Sequence, residues 1–157
     1  MVPPIGPGDH VRGEGPEAIV YLDLVCPACA AEWLRIRELQ MRLCVRHFPI
    51  ASKRPRAPVL HAAVEAAGAQ LEAGFWEMVD SIYADQGHVD DPHLWERAQA
   101  LGLDLRRFEA DRRSEEVAVR IETDFRTGIR AGVTSTPAAF LGGKYMPGRL
   151  SDSFGGL

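Results

Sequence analysis

The chain has 157 residues, of which 46% are hydrophobic, and its formal net charge is −4. A chain of this length and composition buries enough apolar surface to form one domain without disulfide or metal cross-links. The small negative charge and the dispersed basic residues argue against nucleic acid or an anionic membrane as a partner. Three cysteines are too few for a disulfide-framed secreted scaffold.

Residues 1–16 are rich in proline and glycine, which predicts an extended, weakly ordered N-terminal arm before a single domain over residues 17–157. The start has neither the basic segment nor the apolar segment of a secretory signal. No apolar run reaches the roughly 18 residues that a membrane span needs. We therefore expect a cytoplasmic protein with no membrane partner.

Residues 18–25 form a short apolar run that favours a buried strand. Residues 28–40 have apolar side chains at helical spacings, and Pro27 suits the first turn of that helix. Residues 41–50 then alternate between two faces, with Met41, Leu43 and Val45 on one of them, which predicts a second strand. A helix that joins two strands in this way permits them to be parallel.

Residues 55–131 are almost entirely helical in pattern, with predicted helix starts near Asp91 and Ser114 and predicted helix ends at Gly102 and Gly132. Residues 138–141 are a short apolar segment, and the diglycine that follows predicts a hairpin turn with a return strand over residues 144–146. The element order predicts an α/β protein with a thioredoxin fold and an inserted helical subdomain.

Cys26 and Cys29 lie in a Cys-Pro-Ala-Cys motif at the predicted junction of strand and helix. A thiolate attacks disulfides, and the amides and positive dipole at a helix start stabilise such an anion. The spacing brings the second sulfur within bonding reach. We therefore predict Cys26 as an exposed nucleophile and Cys29 as a more buried resolving cysteine, although the same motif also occurs in zinc and iron–sulfur sites.

Thr136 and Pro137 precede the hairpin at the place where thioredoxin-like proteins carry a cis-proline that faces the dithiol. In that arrangement the backbone of Thr136 pairs with an extended substrate peptide. An ordinary trans-proline in a loop is the alternative, since only about 5–6% of X-Pro bonds are cis.

Five segments together resemble the DsbA-like family of bacterial thioredoxin-fold oxidoreductases: YLDLVCPAC, RHFP, HAAVEAAGAQ with FWEMVDSIYADQ, LGLDLRRFEAD, and DFRTGIRAGVTSTPAAFLGG. The resemblance covers about residues 8–146. It implies that Cys26 is the nucleophile, that Cys29 resolves, and that Thr136 and Pro137 face the substrate together with Pro27 and Ala28 of the motif.

Three features of this sequence differ from the usual pattern of that family. Ala28 stands where DsbA carries a histidine that donates to the thiolate, so we expect a less extreme oxidant. Ser135 stands where the family usually has glycine. The end of the chain, GRLSDSFGGL, shows no closing helix, which implies either a truncated chain or another surface that covers this edge.

Asp23 is the single charge in the first predicted strand. Two roles are open for it. It can accept a proton from Cys29 if burial raises its pKa, or it can be structural, bonded to the helix start or to an arginine.

Cys26, Cys29, Cys44 and His47 have the spacing C-x2-C-x14-C-x2-H, which is compatible with tetrahedral zinc. No glycine forms a knuckle around Cys44, and residues three apart on a strand point to opposite faces. We therefore predict no metal, a buried Cys44 and a strand-end His47 that reaches solvent. The remaining histidines, at positions 10, 61, 88 and 93, are predicted to be surface or capping residues.

The leading functional prediction is dithiol–disulfide exchange with a protein or small-thiol substrate, with no cofactor and with a redox recycling partner that the sequence does not identify. A glutathione-dependent isomerase or transferase of the same superfamily is one alternative, although such enzymes generally have one serine or cysteine rather than a pair. A zinc-bound interaction module is the other.

Overall fold

The computed structural model describes residues 1–148 and Asp152. In this part of the chain it contains five strands and six helices. The strands are β1 (His10–Arg12), β2 (Glu17–Leu22), β3 (Arg42–His47), β4 (Ala138–Leu141) and β5 (Lys144–Met146). The helices are α1 (Pro27–Ile36), α2 (Ala57–Gln70), α3 (Glu72–Ala84), α4 (Asp91–Ala100), α5 (Leu105–Arg112) and α6 (Glu115–Arg130).

The strands form one mixed sheet in the order β1-β3-β2-β4-β5. β2 and β3 are parallel and are joined through α1, whereas the other neighbours are antiparallel. Helices α2 to α6 lie between β3 and β4 in the chain. The predicted thioredoxin fold with a helical insertion is confirmed.

The central strand β2 is buried on both faces because it is apolar on both. In β2, Ala18, Val20 and Leu22 face the larger core with α1, α2 and α3. Ile19 and Tyr21 of the same strand face the smaller core. Cys26 and Cys29 both belong to the larger core.

The predicted helix boundaries near residues 90 and 114 are confirmed by cap geometry. Asp90 and Ser114 are N-caps whose side chains accept from the amides of His93 and Val117. Gly102 and Gly132 follow α4 and α6 with φ values of 74° and 94°, a backbone region that favours glycine.

The N-terminal arm is more ordered than the sequence predicts. His10–Arg12 pair with β3 as an edge strand, and Val2 is buried at 5% exposure. The carbonyls of Pro3 and Pro4 accept from the buried guanidinium of Arg46. A buried cation and an unpaired strand edge both require polar partners, and the arm supplies them. The domain boundaries themselves stay a prediction.

The prediction that no helix closes the chain falls on GRLSDSFGGL, most of which lies outside the described residues. Among the residues that are described, no helix has the length and apolar character to cross a bilayer.

Candidate active site

Cys26 is the N-cap residue of α1, directly after the turn that ends β2. The turn is closed by Asp23, whose carbonyl accepts from the Cys26 amide at 3.1 Å and whose Oδ1 accepts from the Val25 amide at 3.0 Å. Pro27 occupies the first turn of the helix. The Cys26 sulfur accepts from the Cys29 amide at 3.3 Å, so it takes the place of a capping oxygen.

These contacts stabilise a thiolate at Cys26. The side chain of Cys29 is the largest influence and, together with the Cys29 amide and against the effect of burial, lowers the pKa of Cys26 to about 5. At neutral pH the Cys26 sulfur is therefore an anion, the form that attacks disulfides.

Cys29 has the opposite character. Burial and the neighbouring Cys26 raise the pKa of the Cys29 thiol far above its usual value. The structure describes the dithiol form, with no bond between the two sulfurs. The pair therefore combines an ionised sulfur with a protonated one that can hydrogen-bond to it.

The prediction of an exposed Cys26 is wrong. Cys26 is 3% exposed and Cys29 is fully buried. The Cys26 thiol lies 3.6 Å from the carbonyl oxygen of Thr136, and Gln86 donates to the Cys26 carbonyl, so neighbouring segments cover the site. Pro27 and Ala28 are the exposed members of the motif.

The Thr136–Pro137 segment lies against Cys26. Its peptide bond is cis, and both residues are half-buried. The Thr136 hydroxyl oxygen is buried and has no hydrogen-bond partner within the part of the chain that the structure describes. β4 begins immediately afterwards at Ala138, whose pairing with β2 holds this segment beside the cysteines.

Asp23 is fully buried, and the raised pKa that a proton-accepting role requires is not observed. Burial opposes its ionisation, but the adjacent His61 and the amides of Val25 and Ile50 outweigh that effect and hold the pKa of Asp23 below its usual value. Its Oδ2 accepts from the Ile50 amide at 3.1 Å, and Arg54 lies 3.6 Å away. These contacts favour the structural role for Asp23.

His61 is a site residue that sequence reasoning missed. It was predicted at the surface, but it is 1% exposed. Burial lowers the pKa of His61 to about 4, and its Nε2 accepts from the Leu24 amide at 3.1 Å. The sequence does contain one indication of its burial, because His61 lies among apolar residues of α2, and a buried histidine requires a polar partner.

Tyr83 and Gln86 were also missed as site residues. The Tyr83 hydroxyl donates to the Asp23 carbonyl at 3.1 Å, and the Gln86 amide donates to the Leu24 carbonyl at 2.9 Å. Both bonds join segments about 60 residues apart, which no local sequence pattern indicates.

Two further predictions about this region can be compared with the structure. Cys44 is buried as predicted, but on the opposite face of the sheet from Cys26 and Cys29, so these residues do not form the C-x2-C-x14-C-x2-H zinc site. His47 was predicted to reach solvent and is instead 2% exposed, because it packs between the sheet and α2 beside His61.

The described residues contain one group with the geometry of a metal site, formed by His10, His47 and Glu65. Cys26 and Cys29 are not part of it.

Comparison with known sequences identifies the family of this chain. The family model of the DSBA-like thioredoxin domain matches residues 18–154. Among curated relatives, the Na(+)/H(+) antiporter NhaA 1 of Salinispora arenicola is 40% identical over 155 residues, which are 92% of this chain and 23% of that protein. The Na(+)/H(+) antiporter NhaA of Herminiimonas arsenicoxydans is 34% identical over 160 residues, 94% of this chain and 25% of that protein. The chain thus spans about a quarter of the length of these relatives.

Solved structures show the same fold at low sequence identity. α-DsbA2 of Wolbachia pipientis, a thiol-disulfide exchange protein, superposes with a TM-score of 0.81 at 17% identity, over 90% of this chain and 80% of that one. A thioredoxin-like oxidoreductase of Silicibacter pomeroyi gives 0.81 at 20% identity, over 94% and 88%. Oxidised BdbD of Bacillus subtilis gives 0.81 at 15% identity, over 95% and 90%.

Proposed function

The chain belongs to the DSBA-like thioredoxin domain family, and from that premise we propose that it is a thiol–disulfide oxidoreductase with Cys26 as nucleophile and Cys29 as resolving cysteine. The observation that carries this proposal is the Cys26 sulfur at the N-cap of α1, where it accepts from the Cys29 amide. A sulfur in that position is held as a thiolate, and the next thiol lies one helical turn away.

The exchange proceeds in two balanced steps. The Cys26 thiolate attacks one sulfur of a substrate disulfide, the substrate S–S bond breaks, and the other substrate sulfur leaves as a thiolate. Cys29 then gives its proton to the first substrate thiolate and attacks the Cys26 sulfur, which releases the second substrate thiolate and forms the Cys26–Cys29 disulfide. The substrate gains two electrons and the protein loses two, and the reverse sequence oxidises a substrate dithiol.

The substrate is proposed to bind next to this sulfur. Thr136 lies against Cys26, and the next two residues of the motif, Pro27 and Ala28, are exposed. An extended disulfide-containing peptide or a small thiol fits such a backbone-lined edge. The cytoplasmic location predicted from the sequence, and the redox recycling partner, stay predictions.

The experiment is catalysis of insulin reduction and of ribonuclease refolding. Cys26→Ser should abolish both activities, and Cys29→Ser should accumulate a mixed disulfide between Cys26 and the substrate because the resolving thiol is gone. Cys44→Ser is the matched control, since Cys44 lies on the other face of the sheet, and it should keep its activity.

Retained activity in Cys26→Ser would overturn the proposal. Glutathione-dependent activity that survives Cys29→Ser would instead favour the glutathione-dependent isomerase or transferase.

A further inference from the structure

Three side chains with metal-binding atoms converge beside α2, at a cluster that does not include Cys26 or Cys29. His10 comes from β1, His47 from the end of β3 and Glu65 from α2, and their ligand atoms all lie within 4.8 Å of one another. We propose that these three residues bind one divalent first-row transition-metal ion such as Zn²⁺. The proposal does not depend on the redox function of Cys26.

The interatomic distances suit this assignment. Glu65 presents one oxygen to each histidine: Oε2 lies 2.5 Å from His10 Nε2 and Oε1 lies 3.6 Å from His47 Nε2. Zn²⁺ holds nitrogen and oxygen ligands at about 2.0–2.2 Å in a tetrahedron, which places neighbouring ligand atoms roughly 3.4 Å apart. Compared with these distances, ion binding requires side-chain movements of about 1 Å.

His47 is the strongest single indication of a ligand. Its side chain is 2% exposed, and its Nε2 is buried without a hydrogen-bond partner among residues 1–148 and Asp152. The residue is fixed because its amide donates to Asp124 at 3.0 Å. An ion bound between His47, Glu65 and His10 gives this buried ring nitrogen the partner that it lacks.

Each of these histidines has a polar partner at its other ring nitrogen, Nδ1, as metal-bound histidines usually do. His10 Nδ1 lies 3.1 Å from Oε1 of Glu72, and His47 Nδ1 lies 2.8 Å from Nδ1 of His61. Such contacts fix the orientation of each ring and direct its Nε2 toward the proposed ion.

The proton positions on His47 and His61 oppose coordination as they stand. The Leu24 amide donates to Nε2 of His61, so a neutral His61 carries its proton on Nδ1 and donates it to Nδ1 of His47. The His47 proton then lies on Nε2, the atom that binds the proposed ion. Ion binding therefore requires both rings to change tautomer and the Leu24–His61 hydrogen bond to break, which lowers the affinity of the site.

The ion has an entry path and an open coordination position. A cavity of about 250 Å³ opens on His10 and Glu65 and is also lined by Gly68, Glu116 and Arg120. Phe75 stacks on the His10 ring, with ring centroids 3.6 Å apart. Three protein ligands with one open position are the arrangement of catalytic rather than structural zinc.

One positive charge opposes the ion. Arg120 Nε lies 3.7 Å from Oε1 of Glu65, although Asp9 and Asp124 also lie 3.7 Å from its guanidinium and compensate part of its charge. A cation next to a cation site weakens binding. Removal of the Arg120 charge should therefore raise the affinity for the ion. General damage to the fold would lower that affinity instead.

The test is titration of the full chain with Co²⁺ and Zn²⁺ after oxidation of Cys26 and Cys29, so that these thiols cannot bind metal. We expect one ion per chain, visible Co²⁺ absorption bands, and displacement of Co²⁺ by Zn²⁺ in calorimetry. His10→Ala and Glu65→Gln should weaken binding at least about 100-fold, since the loss of an outer partner alone costs about 10–100-fold. Arg120→Met should tighten binding severalfold.

The matched control is the double variant His88→Ala/His93→Ala, which removes an exposed and a half-buried histidine whose rings lie 4.8 Å apart. It should bind the ion as the unmodified chain does. The proposal is overturned by the absence of stoichiometric binding, by loss of binding in this control, or by unchanged affinity in His10→Ala. Weaker binding in Arg120→Met at an unchanged unfolding temperature would also overturn it.

Discussion

The sulfur of Cys26 lies where a strand ends, a helix begins and a distant loop returns. Its position at a helix start was predictable, since Pro27 and the apolar pattern around it are local features. The contacts of Thr136 and Gln86 that bury Cys26 were not predictable, because they join residues that are 110 and 60 positions apart in the chain.

The acidity of Cys26 gives the first prediction. In the reduced protein, absorbance at 240 nm should rise with a midpoint near pH 5, the pKa to which Cys29 lowers Cys26. Cys44 does not interfere, because burial raises the pKa of that thiol to about 12. Cys29→Ala should move the midpoint upward, and Cys29→Ser should move it less, since serine keeps a donor. A midpoint near the ordinary value of about 8.5 in the unmodified chain would contradict this account.

Asp23 gives the second prediction. Asp23→Asn should lower the free energy of unfolding by about 2–4 kcal/mol, because an amide group would face the donors of Val25 and Ile50 in a buried site. The pKa of Asp23 is lowered in the folded state, so its stabilisation is present above pH 3.8 and is lost as pH falls below that value.

Denaturant titration of the oxidised protein at several pH values measures this difference. If Asp23 has the structural role, the gap between Asp23→Asn and the unmodified chain stays constant from pH 7 to about pH 5 and closes in more acidic solution. A gap that instead widens toward low pH would show that the carboxyl is protonated in the fold.

At the scale of elements, the strand–helix–strand crossover and the β4–β5 hairpin were predictable because each follows from a continuous local pattern. β1 was not, since His10–Arg12 is a three-residue strand after a segment rich in proline and glycine. Its pairing with β3 depends on a long-range contact. The burial of His47 and His61 was missed for the same reason, because it arises only when α2 packs against the sheet.

Helix α6 gives the third prediction. A Cβ on Gly128 would lie 2.7 Å from a ring carbon of Phe48 and 3.1 Å from one of Tyr21. Gly128→Ala should therefore reduce the free energy of unfolding by about 1–3 kcal/mol, even though alanine favours a helix by roughly 1 kcal/mol. Thr123→Ala, on the exposed face of α6, is the control and should be within about 0.5 kcal/mol of the unmodified chain. An equal or greater stability of Gly128→Ala in denaturant unfolding would show that the helix does not approach the sheet this closely.

At the scale of the whole molecule, the sequence allowed the fold class to be predicted, because the order of elements and the helical block between β3 and β4 are visible in its patterns. The way in which α2 connects the active-site turn to the His10, His47 and Glu65 cluster was not visible, since it depends on contacts among β1, β3 and α2 together.

The stability of the whole molecule should depend on its redox state, which is the fourth prediction. The pKa of Cys26 is lowered from 9.0 to about 5 in the folded protein. Ionisation of this thiol therefore stabilises the reduced fold fully above pH 9.0, and that stabilisation is lost as the pH falls to about 5. Between pH 8 and pH 5 the reduced protein should lose stability relative to the oxidised protein by about 1.4 kcal/mol per pH unit. Parallel denaturant titrations of the two forms measure this slope, and a slope of zero would contradict a thiolate at Cys26.

The most direct test of the central claim is the redox equilibrium of Cys26 and Cys29 in glutathione buffers. A stabilised thiolate favours the reduced form, so the couple should be more oxidising than the roughly −270 mV of thioredoxin, while Ala28 should keep it below the roughly −120 mV of DsbA. A potential at or below that of thioredoxin, or the absence of a Cys26–Cys29 disulfide at any glutathione ratio, would contradict the account.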